Sequence, residues 1–199
     1  MYILGLNGSP HRRGNTAFLL DIALDAAGME GAQTEKIFLQ EKIETTKRPY
    51  CIACESPCTG KCFQGTELYT VMEKLAKADG ILVASPVYFG NVSAQLKGFW
   101  DKTRYLRGDK KLLNVVGGAL SVGASRFGGQ ETTLRAIHSL MLIQGMIVVS
   151  DAYEEGDAGH HGVAAQQPSS EDSYARYKAA QLGTRVARVC AATASLRTR

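Results

Sequence analysis

Short apolar runs alternate with helical patterns along the whole chain, and this alternation limits the fold more than any other feature. Residues 2–7 read as a strand, and residues 15–27 as a helix with Phe18, Leu19, Ile22, Ala23 and Ala26 on one face. Thr34–Leu39 is a second strand, followed by a polar stretch. Glu67–Ala78 is a helix, with Leu68, Val71, Met72 and Leu75 at helical spacing. Gly80–Ala84 is almost wholly apolar, as a central strand buried on both faces must be. Val92–Leu106, Leu112–Leu120, Glu131–Gln144, Met146–Val149 and Ser173–Ala191 continue the series as helix, strand, helix, strand and helix. The polar, glycine-bearing Gly156–Ser170 reads as a long surface loop. The pattern predicts an α/β fold: a doubly wound five-stranded parallel sheet in the order 2-1-3-4-5, with helices on both faces.

The 199 residues are enough to bury a sizeable core and predict a single domain over 1–199, with a cysteine-rich loop at 47–65. Apolar residues make up 45% and charged residues 21%, the balance of a globular protein in water. A net charge of +4 from scattered lysines and arginines, with no basic stripe interleaved with aromatics, argues against nucleic acid as a partner. No apolar run approaches the roughly 18 residues of a membrane span, and the first residues read as a strand instead of a signal peptide. These features predict a cytoplasmic protein with no membrane partner.

A doubly wound sheet binds its ligand at the carboxyl ends of the strands, beside the point where strand order reverses. Three loops meet there. In Asn7-Gly8-Ser9-Pro10-His11-Arg12-Arg13-Gly14-Asn15-Thr16 a strand runs through a small polar turn directly into a helix. That turn directs backbone N–H groups and hydroxyls at one point, as a phosphate requires. The spacing matches neither G-x-x-x-x-G-K-[ST] nor G-x-G-x-x-G, so neither of those nucleotide loops is predicted. Ser85-Pro86-Val87-Tyr88-Phe89-Gly90-Asn91 places two aromatics in a loop that Pro86 stiffens. Its amides can meet the edge of a heteroaromatic ring, and its aromatics can equally cover the core. The third loop lies within the glycine-rich Gly117–Glu131, which suits closure over a ligand or a flexible connector.

Four of the five cysteines, Cys51, Cys54, Cys58 and Cys62, fall within twelve residues, separated by gaps of two, three and three. In a cytosolic chain such crowding points to ligation of a metal or cluster, with zinc and disulfides as the other readings. Lys47, Arg48 and Lys61 flank the group. Cys190 lies alone in a helical pattern and reads as a buried small side chain.

Gly8-Ser9-Pro10 with Gly14-Asn15-Thr16, the stretch from Ser85 to Lys97, and Gly128-Gly129-Gln130-Glu131 together resemble the NAD(P)H-dependent FMN reductases of the flavodoxin-like superfamily. The likeness covers residues 1 to about 150. With the cysteines added, the nearest branch is the iron–sulfur flavoproteins. The resemblance implies a flavodoxin-like fold that binds FMN. Its phosphate would lie on Ser9, His11, Asn15 and Thr16, with Arg13 alongside. Pro86, Val87, Tyr88, Phe89 and Gly90 would line the isoalloxazine, and Val122, Gly123 and Gly129 would complete the pocket. It further implies a 4Fe–4S cluster on Cys51, Cys54, Cys58 and Cys62, NAD(P)H or ferredoxin as electron donor, and a small molecule or protein as acceptor. Assembly as a homodimer or homotetramer is also implied. His11 stands where an arginine is common in the motif, and the middle cysteine gap is longer than in that branch.

Hydride transfer to a flavin requires orientation and exclusion of water more than an acid or a nucleophile, so no catalytic side chain is assigned. His138, His160 and His161 read as ordinary structural or solvated histidines. Two alternatives remain beside the oxidoreductase. One is a one-electron carrier of the flavodoxin type, although such carriers tend to be acidic. The other is a plain FMN reductase whose cysteine loop is braced by zinc.

Overall fold

Six strands form one parallel sheet in the computed structural model, which describes residues 1–197. They are β1 (Tyr2–Asn7), β2 (Gln33–Phe38), β3 (Gly80–Pro86), β4 (Val116–Gly123), β5 (Ile147–Val148) and β6 (Val163–Gln166). The order is β2-β1-β3-β4-β5, as the alternation predicts, and β6 pairs with β4 as well. β5 lies against the start of β4, with Val116 opposite Ile147 and Gly117 opposite Val148. Further along, β6 takes over the same edge, from Leu120 opposite Val163 to Gly123 opposite Gln166. The fifth position of the sheet is therefore filled by two short strands.

This corrects the reading of Gly156–Ser170 as surface loop throughout. Val163 and Ala165 are buried while Ala164 and Gln166 are exposed, a strand alternation only four residues long amid polar neighbours. A buried lysine ties the connection between β5 and β6 to the helix Ser173–Ala192: Lys178 Nζ lies 3.1 Å from buried Asp151 and 2.9 Å from exposed Asp157. Burial opposes the lysine's charge, but the hydrogen bonds to these carboxylates outweigh it and raise its pKa.

The helices are α1 (Asn15–Met29), α2 (Leu39–Glu44), α3 (Glu67–Leu75), α4 (Ala94–Lys102), α5 (Arg104–Arg107), α6 (Gln130–Leu142) and α7 (Ser173–Ala192). α2 occupies the stretch read as polar connection; it buries only Leu39 and Ile43, one turn apart, too little to show as a pattern. The fourth strand begins later than Leu112 because residues 112–115 form turns. Leu112 and Val115 are nevertheless buried, so the apolar run there marks core contact and not extended backbone. The expected Val92–Leu106 helix is divided at Thr103 into α4 and α5.

Two cores lie on opposite faces of the sheet. One gathers Leu68 and Met72 of α3, Leu96 and Phe99 of α4, and Leu134 and Ile137 of α6. The other gathers Leu19, Leu20 and Ala23 of α1 with Leu182 and Val186 of α7. α1 and α7 approach so closely at Gly183 that a Cβ there would sit 2.0 Å from the Ala23 carbonyl oxygen. Gly183→Val should therefore force the two helices apart and lower the unfolding free energy by about 1–3 kcal/mol, the usual cost of overpacking. Urea denaturation of the variant beside the parent protein measures it.

Candidate functional site

The carboxyl ends of β1, β3 and β4 are neighbours, so their loops form one continuous surface. After β1, Asn7 accepts a hydrogen bond from the Ser9 N–H at 2.9 Å, and Ser9 Oγ accepts one from the His11 N–H at 3.1 Å. These bonds curl the turn so that α1 starts at Asn15. α1 has no side-chain cap, whereas Ser93 caps α4 and Asp172 caps α7, and its first turn carries no acidic residue. Among the described residues its leading N–H groups therefore have no anionic or hydroxyl partner, an arrangement able to receive a phosphate.

Asn15 is oriented from outside this loop. Its Oδ1 accepts the Ser169 N–H at 2.8 Å, which leaves the Asn15 amide group free to donate. Ser169 is fully buried and its own hydroxyl has no partner among the described residues. Thr16 and Ser9 are buried, and His11 and Arg13 are exposed. Arg12 is drawn aside by an ion pair with Glu41 and by the Phe38 ring 4.7 Å from its guanidinium carbon. Of the two adjacent arginines, Arg13 is the one without a carboxylate partner among the described residues.

The second loop is a tight turn: the Tyr88 N–H donates to the Asn91 carbonyl at 2.9 Å, and the Asn91 N–H returns a bond at 3.1 Å. Phe89 and Gly90 at its tip both have positive φ, 51° and 72°. For phenylalanine that backbone is strained, and strain of this kind gathers where function demands a fixed geometry. Phe89 is held wholly in solvent, and Tyr88 is 42% exposed. Pro86 and Val87 are half-buried, and the Val87 N–H donates to the Val122 carbonyl at 2.9 Å, joining the second loop to β4.

The third loop is braced by Gln130. Its side chain accepts the Gly128 N–H at 2.9 Å and donates to the Ser125 and Ala165 carbonyls. Gly129 has φ +95°, and a Cβ there would sit 2.9 Å from the Gly90 Cα, so the second and third loops touch backbone to backbone. Gly123 and Val122 are buried beneath them. The structure thus joins the second loop to the third at Gly90 and Gly129 and to β4 at Val122, and ties the turn after β1 to them through Ser93, while His11, Arg13 and Phe89 stand exposed. Sequence reasoning missed Gln130, Ser93 and Ser169 as supports. Ser93 Oγ donates to the Gly8 carbonyl at 2.5 Å and accepts from the Leu96 N–H, so one hydroxyl fixes the first loop and caps α4. Its one sequence signal is its place just before an apolar helical run.

Cys51, Cys54, Cys58 and Cys62 all line a single cavity of about 390 Å³ with Lys47, Arg48, Lys61, Lys102 and Arg104. Five cations and one carboxylate, Glu55, surround four thiols, a balance suited to a strongly anionic thiolate-bound group. Glu55 is itself engaged: hydrogen bonds from Lys61 and then Thr59 pull its pKa down to about 2. Arg104 donates to the Glu55 carbonyl at 3.0 Å and holds the loop against α5. The Pro49 carbonyl sits over Gly98 of α4, at 2.8 Å from where a Cβ would be. No three His, Cys, Asp or Glu side chains among the described residues are gathered closely enough to hold a metal ion. The donor chemistry fits a cysteine-bound cluster, and Lys102 and Arg104 join the expected Lys47, Arg48 and Lys61 from a different part of the chain.

His138 and His161 lie against each other, ring centroids 6.2 Å apart, and burial followed by the neighbouring His161 lowers the His138 pKa. No helix among the described residues is long and apolar enough to cross a membrane.

Strand order and the joined loops at the carboxyl ends of β1, β3 and β4 define a flavodoxin-like protein. More narrowly, the chain belongs to the NADPH-dependent FMN reductase family, whose model matches residues 1–158. It is similar to an iron-sulfur flavoprotein of Methanocaldococcus jannaschii, with 44% identity over 95% of this chain and 97% of that one. A second iron-sulfur flavoprotein, from Methanosarcina thermophila, is 40% identical over 87% of this chain and 86% of its own. Among solved structures, the fold matches a flavodoxin, WrbA-like protein from Agrobacterium tumefaciens with a TM-score of 0.68 at 20% identity. That match covers 96% of this chain and 98% of the other. The protein is an FMN-dependent oxidoreductase.

Proposed function

We propose that the protein takes electrons from NAD(P)H or ferredoxin onto FMN and passes them singly, through a 4Fe–4S cluster on Cys51, Cys54, Cys58 and Cys62, to a small-molecule or protein acceptor. The observation that carries this reading is the single cavity that all four cysteines line together with five cations. The two iron-sulfur flavoproteins, similar over most of their length, support it.

Ser9, His11, Arg13, Asn15, Thr16 and the first amides of α1 bind the phosphate. Pro86, Val87, Tyr88, Phe89 and Gly90 flank the isoalloxazine, with Val122, Gly123 and Gly129 closing the pocket. When bound, FMN supplies exchange of electrons in pairs or singly, and the cluster supplies exchange one at a time. The chain's part is orientation and exclusion of water. Gln130 fixes the loop that carries Gly129, and the strained Phe89 turn holds its aromatic at the rim. The fully exposed Phe89 and the 92% exposed Phe127 are large apolar faces that a neighbouring subunit covers in the homodimer or homotetramer we propose. We place the protein in the cytoplasm, where four reduced cysteines persist.

The test is anaerobic purification, an absorption spectrum, and analysis of flavin, iron, sulfide and zinc. Acid extraction should release one FMN per chain and no FAD, because the first loop offers one phosphate site and the chain has no second dinucleotide turn. FAD, or no flavin after reconstitution, overturns the flavin assignment. Zinc without sulfide overturns the cluster.

A further inference from the structure

Lys102 closes α4 and is only 2% exposed, yet no carboxylate pairs with it among the described residues. A buried ammonium without a counter-charge is costly, so such groups are normally paired. The partner that Lys102 does have is Cys62: Nζ lies 3.8 Å from Sγ. The other cations at the cavity differ. Lys61 is 59% exposed and paired with Glu55 at 2.7 Å, and Arg104 is committed to the Glu55 carbonyl. Lys102 alone combines burial, an open charge and direct contact with a cysteine of the cavity.

We propose that Lys102 is a positioning residue for electron transfer, raising the reduction potential of the cluster carried by Cys51, Cys54, Cys58 and Cys62 by facing Cys62 with a buried positive charge. This rests on the cluster reading of the cavity. One-electron reduction adds one negative charge to the cysteine-bound group without breaking or forming a bond. A fixed positive charge nearby stabilises the reduced form more than the oxidised one. Cys62 itself is exposed, but the buried position of Lys102 leaves its charge less screened by water and salt than those of the exposed lysines around it. Hydrogen bonds to cluster sulfurs and local charge are the levers by which proteins set such potentials.

The experiment is an anaerobic redox titration of holoprotein carrying Lys102→Met, which retains much of the stem and removes the charge, beside Lys102→Arg and the parent protein. Cluster reduction is followed by electron paramagnetic resonance and the flavin by absorption. Lys102→Met should lower the equilibrium constant for cluster reduction at least tenfold, a shift of about 59 mV for one electron. Lys102→Arg should stay within threefold of the parent. A full cluster in Lys102→Met with an unchanged potential overturns the proposal, as does loss of the cluster in both variants, which would mark a role for shape alone. Loss of the cluster in Lys102→Met with retention in Lys102→Arg overturns it too, since the charge would then hold the cluster in place instead of setting its potential. A parent protein with no cluster overturns the cluster reading itself and is seen before any variant is made.

Discussion

Cys54→Ala and Cys58→Ala are each expected to abolish the broad visible absorption and the acid-labile sulfide of anaerobically prepared protein, while FMN stays bound in full. Four thiolates are the complete ligand set of a cubane, and loss of one leaves an iron site open to water and exchange. The cavity shows why no neighbour replaces the lost thiolate. Glu55 is the one carboxylate on its wall, and it is engaged by Lys61 and Thr59. The fifth cysteine, Cys190, lies on α7 in the core of the opposite face of the sheet. The flavin should survive because its proposed contacts come from the loops after β1, β3 and β4. Each variant should accept electrons from a direct hydride donor at close to the parent rate and deliver them to one-electron acceptors at least tenfold more slowly. Parallel loss of FMN and iron would show that the cysteine loop also shapes the flavin pocket. Retention of sulfide in both variants would remove these two cysteines from the ligand set.

The sheet order was legible because β1, β3 and β4 are apolar on both faces and each is followed by a polar, glycine-bearing turn. Such strands can only be central, and the turns mark their carboxyl ends. β6 was hidden by its length, since two inward residues among four cannot stand out from polar flanks. Leu112 and Val115 misled in the opposite direction: burial selects apolar residues in turns as readily as in strands. The turn after β1 could be read because its contacts are local. The supports that fix it come from far along the chain, Ser93 by the capping hydroxyl of α4 and Ser169 by a backbone N–H. A backbone donor leaves no trace in residue identity. Lys102 was invisible for a related reason. A lysine at the end of a helix ordinarily reads as a solvated charge near the negative end of the helix dipole. Its burial and its contact with Cys62, forty residues away in the chain, appear only in the folded structure.

Replacement of Asn15 and Thr16 together by alanine should weaken FMN binding about ten- to a hundredfold. Two hydrogen bonds to a charged phosphate are lost, each worth roughly 0.7–1.4 kcal/mol, and every 1.4 kcal/mol is tenfold in affinity. Alanine at 15 also frees the Ser169 N–H, so loosening of the segment after β6 contributes to that result. Asn15→Asp separates the two effects. A carboxylate still accepts the Ser169 N–H, which preserves the contact at 2.8 Å, but it can no longer donate to phosphate and instead opposes its charge. At an effective dielectric constant near 20, like charges about 4 Å apart repel by about 4 kcal/mol. Asn15→Asp should therefore cost FMN at least a hundredfold in affinity. Riboflavin, which has the same ring without the phosphate, should bind the variant as it binds the parent. Fluorescence titration with both ligands measures the contrast, and a thermal melt checks that the fold persists. Equal losses for FMN and riboflavin would mean that Asn15 supports the pocket without touching the phosphate. FMN binding undiminished in Asn15→Asp would move the phosphate away from the start of α1.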